Sequence, residues 1–125
     1  MFLNCHTFYS MRYGVLSPAQ LVEKAAQWGM RRLALTDINN TSCFVEFEAL
    51  CLKKGIEPIY GIDFRDSNGR QQYIGLAKNA RGQLELNRLL STCSMQGTPL
   101  PENAPALENT WIIYPRLLKP IRQFR

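Results

Sequence analysis

The side chains from which polar sites are built, imidazole and carboxylate, fall at three comparable places in this sequence. His6, the only histidine, follows the short apolar run Met1-Phe2-Leu3 and precedes a polar loop at Arg12-Tyr13-Gly14. Asp37 ends the run Leu33-Ala34-Leu35-Thr36, and Asp63 closes Pro58-Ile59-Tyr60-Gly61-Ile62. An apolar run that delivers a polar side chain to its end reads as a β-strand carrying a site at its C-terminal end. Three such ends, bearing His6, Asp37 and Asp63, predict one shared site.

The elements that must position these residues follow from local signals. A strand is expected near 2–6 and a loop over 7–16. Ser17-Pro18 opens a helix, with serine as N-cap and proline where its missing N–H costs nothing. Leu21, Val22, Ala25 and Ala26 recur at helical spacing, Trp28 completes the apolar face, and Gly29 stops the helix. The continuous apolar run Leu33-Ala34-Leu35 within 32–36 reads as a strand covered on both faces. A second helix is expected over 43–54 on Phe44, Phe47 and Leu50/Cys51, with Lys53-Lys54 at its negative end and Gly55 as stop. Residues 56–64 form the next strand. The order β-α-β-α-β predicts parallel units with right-handed crossovers.

The pattern then changes. Asp66-Ser67-Asn68-Gly69 is a hairpin turn, and 72–77 is the returning strand. Asn79 caps a third helix over 80–92, buried through Leu84, Leu86, Leu89, Leu90 and Cys93. Residues 97–108 are proline-rich and irregular, 110–114 form a short strand, and the tail 116–125 is basic. The strand at 110–114 has nothing after it to pair with, so an incomplete domain with an open edge is expected, exposing Trp111 and Ile113.

The chain's 125 residues fit one domain. No apolar run approaches the roughly 20 residues of a membrane span, and the start lacks a signal-type basic and apolar pattern. A cytoplasmic location follows as the expectation. Cys5, Cys43, Cys51 and Cys93 form no CxxC pair and read as reduced thiols, with no cysteine zinc site. The net charge of +5 is spread along the chain and favours a nucleic-acid partner only slightly. A nucleotide-binding loop of the GxGxxG or GxxxxGK[ST] type does not occur.

Taken together, the strand-end motifs resemble the PHP (polymerase and histidinol phosphatase) domain family. Its opening His-x-His, followed by Thr or Ser and an aromatic-Ser pair, matches Asn4-Cys5-His6-Thr7-Phe8-Tyr9-Ser10. Its Thr-Asp-His matches Thr36-Asp37-Ile38. Its Gly-Ile-x-Pro-Ile-x-Gly-x-Glu matches Gly55 to Asp63. Leu76-Ala77-Lys78-Asn79 and Arg88-Leu89-Leu90-Ser91 are similar to the next unit. The Thr36-to-Asn40 run and the Ser10-Met11-Arg12-Tyr13-Gly14 loop are most similar to the branch at the start of bacterial replicative polymerases. The resemblance covers 1–125, strongly over 1–94 and more weakly over 95–125.

The resemblance implies an α/β fold: a partial PHP-type (β/α) barrel of parallel βα units with one hairpin. It implies a strand-end site where histidines and carboxylates hold divalent metals that polarise a phosphate ester. At those ligand positions this chain carries Asn4 and Ile38 where the family has histidine, and Asp63 where it has glutamate. His6 and Asp37 remain. The expected metal site is therefore vestigial at most, on His6, Asp37 and Asp63, with no cofactor beyond weak residual divalent metal.

The implied function is a scaffold and interaction module of a DNA-replicating polymerase, itself without polymerase or phosphoesterase activity. The implied partners are the rest of that polymerase chain, a proofreading exonuclease subunit, and DNA through the full-length protein. The alternative the family offers is a metal-dependent phosphoesterase or 3'-5' exonuclease. Each residue also has a plainer reading. His6 serves as a hydrogen-bonded strand-end histidine, Asp37 as a turn cap, Asp63 as a solvated or paired carboxylate, and Thr7 and Ser10 as loop hydrogen-bonders. Arg12 meets a phosphate or is ordinary surface. Phe8, Tyr9 and Tyr13 offer a stacking platform for bases or pack on the neighbouring loop.

Overall fold

The computed structural model describes residues 5–7, 9–10, 14, 16–97, 101 and 104–114. Their elements run α1 (Pro18–Gln27), β1 (Arg32–Ile38), α2 (Phe44–Lys53), β2 (Glu57–Arg65), β3 (Gln71–Ala77), α3 (Ala80–Gln96) and β4 (Thr110–Ile113). The expected first strand falls largely outside the described residues. Cys5 and His6 themselves are not in a strand, although the Cys5 carbonyl accepts from Thr36 N at 2.9 Å and so lies along the edge of β1 opposite β2. The tail beyond Tyr114 also lies outside the described residues.

Local chemistry accounts for the helix ends. Ser17 and Gln20 form a reciprocal capping box at the start of α1. Asn79 accepts from Gly82 N at 3.0 Å to start α3, and Gly97 ends it in the left-handed region. α3 runs four residues beyond the expected 92, because no breaker intervenes before Gly97.

The sheet order is β1-β2-β3-β4. β1 pairs parallel with β2, with Asp37 opposite Ile62 and Ile38 opposite Asp63. β2 and β3 form the expected hairpin, closed where Gly69 N donates to Asp66 O at 3.0 Å. β4 returns antiparallel to β3, so β3-α3-β4 is not a further parallel unit. β1, β2 and β4 therefore run together and β3 against them.

Alternation along the strands divides the sheet into two faces. Leu33, Leu35, Ile62, Phe64 and Tyr73 share one core with Val22, Phe44, Phe47 and Leu86 of the three helices. Ala34, Ile74 and Leu76 form a second, smaller cluster on the other face, with Ile59 and Ile113 against it. This explains the continuous apolar run in β1: both of its faces are buried. Three apolar residues depart from expectation. Trp28 at the C-cap of α1 and Leu84 on α3 are exposed, at 64% and 50%. Val22 and Ala25 already fill the contact in α1, and in α3 Leu86 does. Trp111 is 62% exposed, as expected, but lies beneath Lys78 Nζ at 4.0 Å. Ile113 is half-buried rather than open to water.

Two glycines are fixed by close approach. A Cβ on Gly61 would lie 2.5 Å from Gly75 O, and one on Gly82 would lie 2.1 Å from Asn109 O. Gly82 thus admits the chain that enters β4. That entry is held by Glu85, which accepts from Asn109 N at 3.1 Å and from Thr110 Oγ1 at 2.8 Å.

Candidate functional site

Asp37 and Asp63 lie at the same end of the sheet but on opposite faces. Asp37 alternates with Leu33 and Leu35 and therefore points toward the helices. Asp63 is paired with Ile38 and Ile74 and shares the face of the smaller cluster. Both carboxylates are buried, at 1% and 0% exposure. Each has its own partners.

Asp37 organises the loop that follows residue 6. Its Oδ1 accepts from Thr7 N at 2.6 Å and Ser10 Oγ at 2.7 Å, and its Oδ2 from Thr7 Oγ1 at 2.7 Å. Ser10 Oγ in turn accepts from Ile38 N at 2.8 Å. Thr7 and Ser10 are themselves buried, as loop hydrogen-bonders in the sense expected of them. The loop turns tightly, with Ser10 N donating to Thr7 O and Gly14 N to Ser10 O. A Cβ on Gly14 would collide with Thr7 O.

Asp63 gathers one cation and one further donor. Its Oδ2 accepts from His6 Nε2 at 2.9 Å, Arg65 Nη2 at 3.0 Å and Arg65 Nε at 3.3 Å. Burial alone would raise the Asp63 carboxyl pKa. The hydrogen bonds from His6 and Arg65 outweigh it and hold the group below its ordinary value. Its Oδ1 is buried and has no hydrogen-bond partner among the described residues.

The loops around both carboxylates are held by the two asparagines after Ile38. Asn39 adopts φ 47° and exchanges hydrogen bonds with the Arg65 backbone, accepting from N at 3.0 Å and donating to O at 2.9 Å. Asn40 Nδ2 donates to Tyr9 O at 3.0 Å, and its Oδ1 accepts from Ser42 N at 2.7 Å. Tyr9 is exposed and its hydroxyl reaches Glu46 at 3.4 Å.

The structure therefore brings His6 to Asp63 and keeps Asp37 with Thr7 and Ser10. Ile38 lies beside Asp63 on the same face. Asn4, Phe8, Arg12 and Tyr13 lie outside the described residues. Sequence reasoning missed Arg65, Asn39 and Asn40. For the asparagines a signal existed: consecutive Asn residues directly after a strand favour side-chain-to-backbone turns and left-handed geometry. For Arg65 the signal was period two, which puts it on the face of Asp63.

The PHP domain profile matches residues 3–117. The chain belongs to the PHP domain family. It is 34% identical over 119 residues to DNA polymerase III subunit alpha of Escherichia coli (strain K12), a match covering 89% of this chain and 10% of that protein. It is 31% identical over 116 residues to the Vibrio cholerae subunit of the same name, with 89% and 10% covered. An error-prone DNA polymerase of Symbiobacterium thermophilum is 34% identical over 97 residues, with 78% and 9% covered. The chain thus spans about a tenth of the length of the curated relatives it matches. Among solved structures, an amidohydrolase from Chromobacterium violaceum superposes with a TM-score of 0.57 at 26% identity, covering 76% of this chain and 33% of that one. The partial PHP-type α/β barrel read from the sequence is the architecture observed.

The family implies divalent metal at this strand end, and the described residues of this PHP domain do not suit one. His6 Nε2 is turned onto Asp63, which leaves only Nδ1 of its imidazole for a metal. A guanidinium already rests on the carboxylate, and Ile38 offers no donor atom. Among the described residues no three His, Cys, Asp or Glu side chains are grouped to hold a metal ion. The described residues contain no helix long and apolar enough to cross a membrane.

Proposed function

We propose that residues 1–125 are the N-terminal portion of a PHP domain at the start of a bacterial replicative polymerase of the DNA polymerase III alpha type. There it serves DNA replication as a non-catalytic scaffold. The observation that carries the reading is the similarity to alpha subunits along 89% of the chain. The closed contacts at the strand ends support the non-catalytic part. His6 and Arg65 both occupy Asp63 Oδ2, and Asp37 is consumed by Thr7 and Ser10.

In this role the PHP domain works through its surfaces. Its partners are the rest of the alpha subunit, a proofreading exonuclease subunit, and DNA through the full-length protein, all in the cytoplasm. Polymerase chemistry belongs to the larger chain. Any divalent metal held by His6 and Asp63 is weak and non-catalytic, and Asp37, on the other face, takes no part in holding it.

A chimaera tests the reading. The segment of the Escherichia coli alpha subunit that matches this chain is replaced by residues 1–125, and primer extension is measured. The expected result is a folded chimaera that extends primers, while the chain alone neither extends primers nor hydrolyses a phosphate ester with Mn²⁺ or Zn²⁺. Metal-dependent hydrolysis by the chain alone, abolished by His6→Ala, would establish the phosphoesterase reading instead.

A further inference from the structure

A carboxylate as buried as Asp63 is strongly disfavoured without a counter-charge. In the metal-binding arrangement implied by the family, cations would supply that charge. Here the positive group at Asp63 is Arg65. Its Nη2 and Nε lie 3.0 and 3.3 Å from Oδ2, and its side chain is 15% exposed against 0% for Asp63.

Reaching Asp63 requires the arginine to fold back two residues along its own strand. Two positions along β2, Arg65 shares the face of Asp63, and the β2–β3 register shifts between Phe64 and Arg65. The Arg65 backbone is bracketed on both sides by the Asn39 amide, and Asn39 N donates to Asp63 O at 3.1 Å. Arg65 Nη1 approaches Gly69 O at 3.4 Å, tying the head of the side chain to the hairpin turn. Asn39 thus holds the Arg65 backbone, while Gly69 O and Asp63 hold its guanidinium.

We propose that Arg65 is the resident cation of this site, a built-in replacement for a metal ion on Asp63, and that Asn39 is its positioning residue. The inference goes beyond the module reading: it concerns the charge that stabilises Asp63 and stands whichever longer protein carries the chain.

The test is a double-variant cycle in the 125-residue chain, read by urea unfolding at neutral pH. Arg65→Ala strands the buried carboxylate, and the folding equilibrium constant is expected to fall on the order of a hundredfold. Asp63→Asn in the same molecule removes the stranded charge, so Arg65→Ala/Asp63→Asn is expected to be more stable than Arg65→Ala alone. Arg65→Lys retains the charge and is expected to lose less than Arg65→Ala. Asn39→Ala is expected to lose stability in both backgrounds, because its bonds to the residue 65 backbone survive Arg65→Ala, and to lose more in the wild type, the excess measuring its effect on the guanidinium. A side chain that merely packs would give additive losses, and additivity, or no loss in Arg65→Ala, overturns the proposal. Should Arg65→Ala fail to fold, the double variant decides: a cooperative melt supports the counter-charge role, and failure of both overturns it.

Discussion

Replacing Asp37 with asparagine tests the claim that this carboxylate is a structural hub. It accepts three hydrogen bonds, two on Oδ1 and one on Oδ2, from donors that are all buried. Asparagine keeps one carbonyl oxygen, which can serve Thr7 N and Ser10 Oγ. Its NH₂ then faces Thr7 Oγ1, whose hydroxyl must reverse to accept. Hydrogen bonds to a charged group contribute about 1.5–3 kcal/mol, against about 0.5–1.5 kcal/mol for neutral pairs. Three bonds each weakened by about 1 kcal/mol give a loss of about 3 kcal/mol, roughly a hundredfold in the folding equilibrium. Domains of this class are stable by about 5–15 kcal/mol, so Asp37→Asn should still fold. Urea unfolding at neutral pH should show a lower midpoint with an unchanged slope. A loss under about 0.5 kcal/mol, the range of ordinary surface changes, would refute the role assigned to Asp37.

Other perturbations have equally definite outcomes. The Asp63 carboxyl titrates lower in the folded chain than in the unfolded one, where it lies near its ordinary value of about 3.9. Its contribution is therefore present above that value and is lost as pH falls through the folded one. Acid unfolding below about pH 4 should be less steep in Asp63→Asn than in wild type. Gly61→Ala forces a methyl to within 2.5 Å of Gly75 O and 2.9 Å of Thr36 Cγ2. It should lower stability by about 1–3 kcal/mol in thermal melts. Burial pushes the Cys43 and Cys51 thiols up to about 12. Both should resist a disulfide reagent at pH 8 until the chain unfolds, whereas half-buried Cys93 should react first.

The elements were legible in the sequence wherever one residue's own chemistry decides the backbone. Ser17-Pro18, Gly29, Gly55, Asn79 and the Asp66–Gly69 turn each mark a boundary close to where it falls. The meeting of His6 with Asp63 was legible because both terminate apolar runs. The separation of Asp37 from Asp63 was not. Period-two alternation shows that neighbouring strand residues point oppositely, but here both faces are apolar, so the pattern does not say which face the helices cover. Arg65 was overlooked for a different reason: period two places it on the face of Asp63, but its backbone is held by Asn39, 26 residues away, a contact that the strand pattern does not carry. Trp28 and Leu84 show the opposite error, in which apolar type suggested burial while Val22, Ala25 and Leu86 already filled the contact.

The central claim is that this PHP domain closes its strand-end site with its own side chains. Titration calorimetry of the purified, chelator-treated chain with Zn²⁺ and Mn²⁺, together with its metal content as isolated, tests this most directly. With His6 and Arg65 both on Asp63, binding should be no tighter than about micromolar, about −8 kcal/mol, and the isolated chain should carry far less than one metal per molecule. One or more tightly held metal ions per chain, released by His6→Ala or Asp63→Asn, would contradict it.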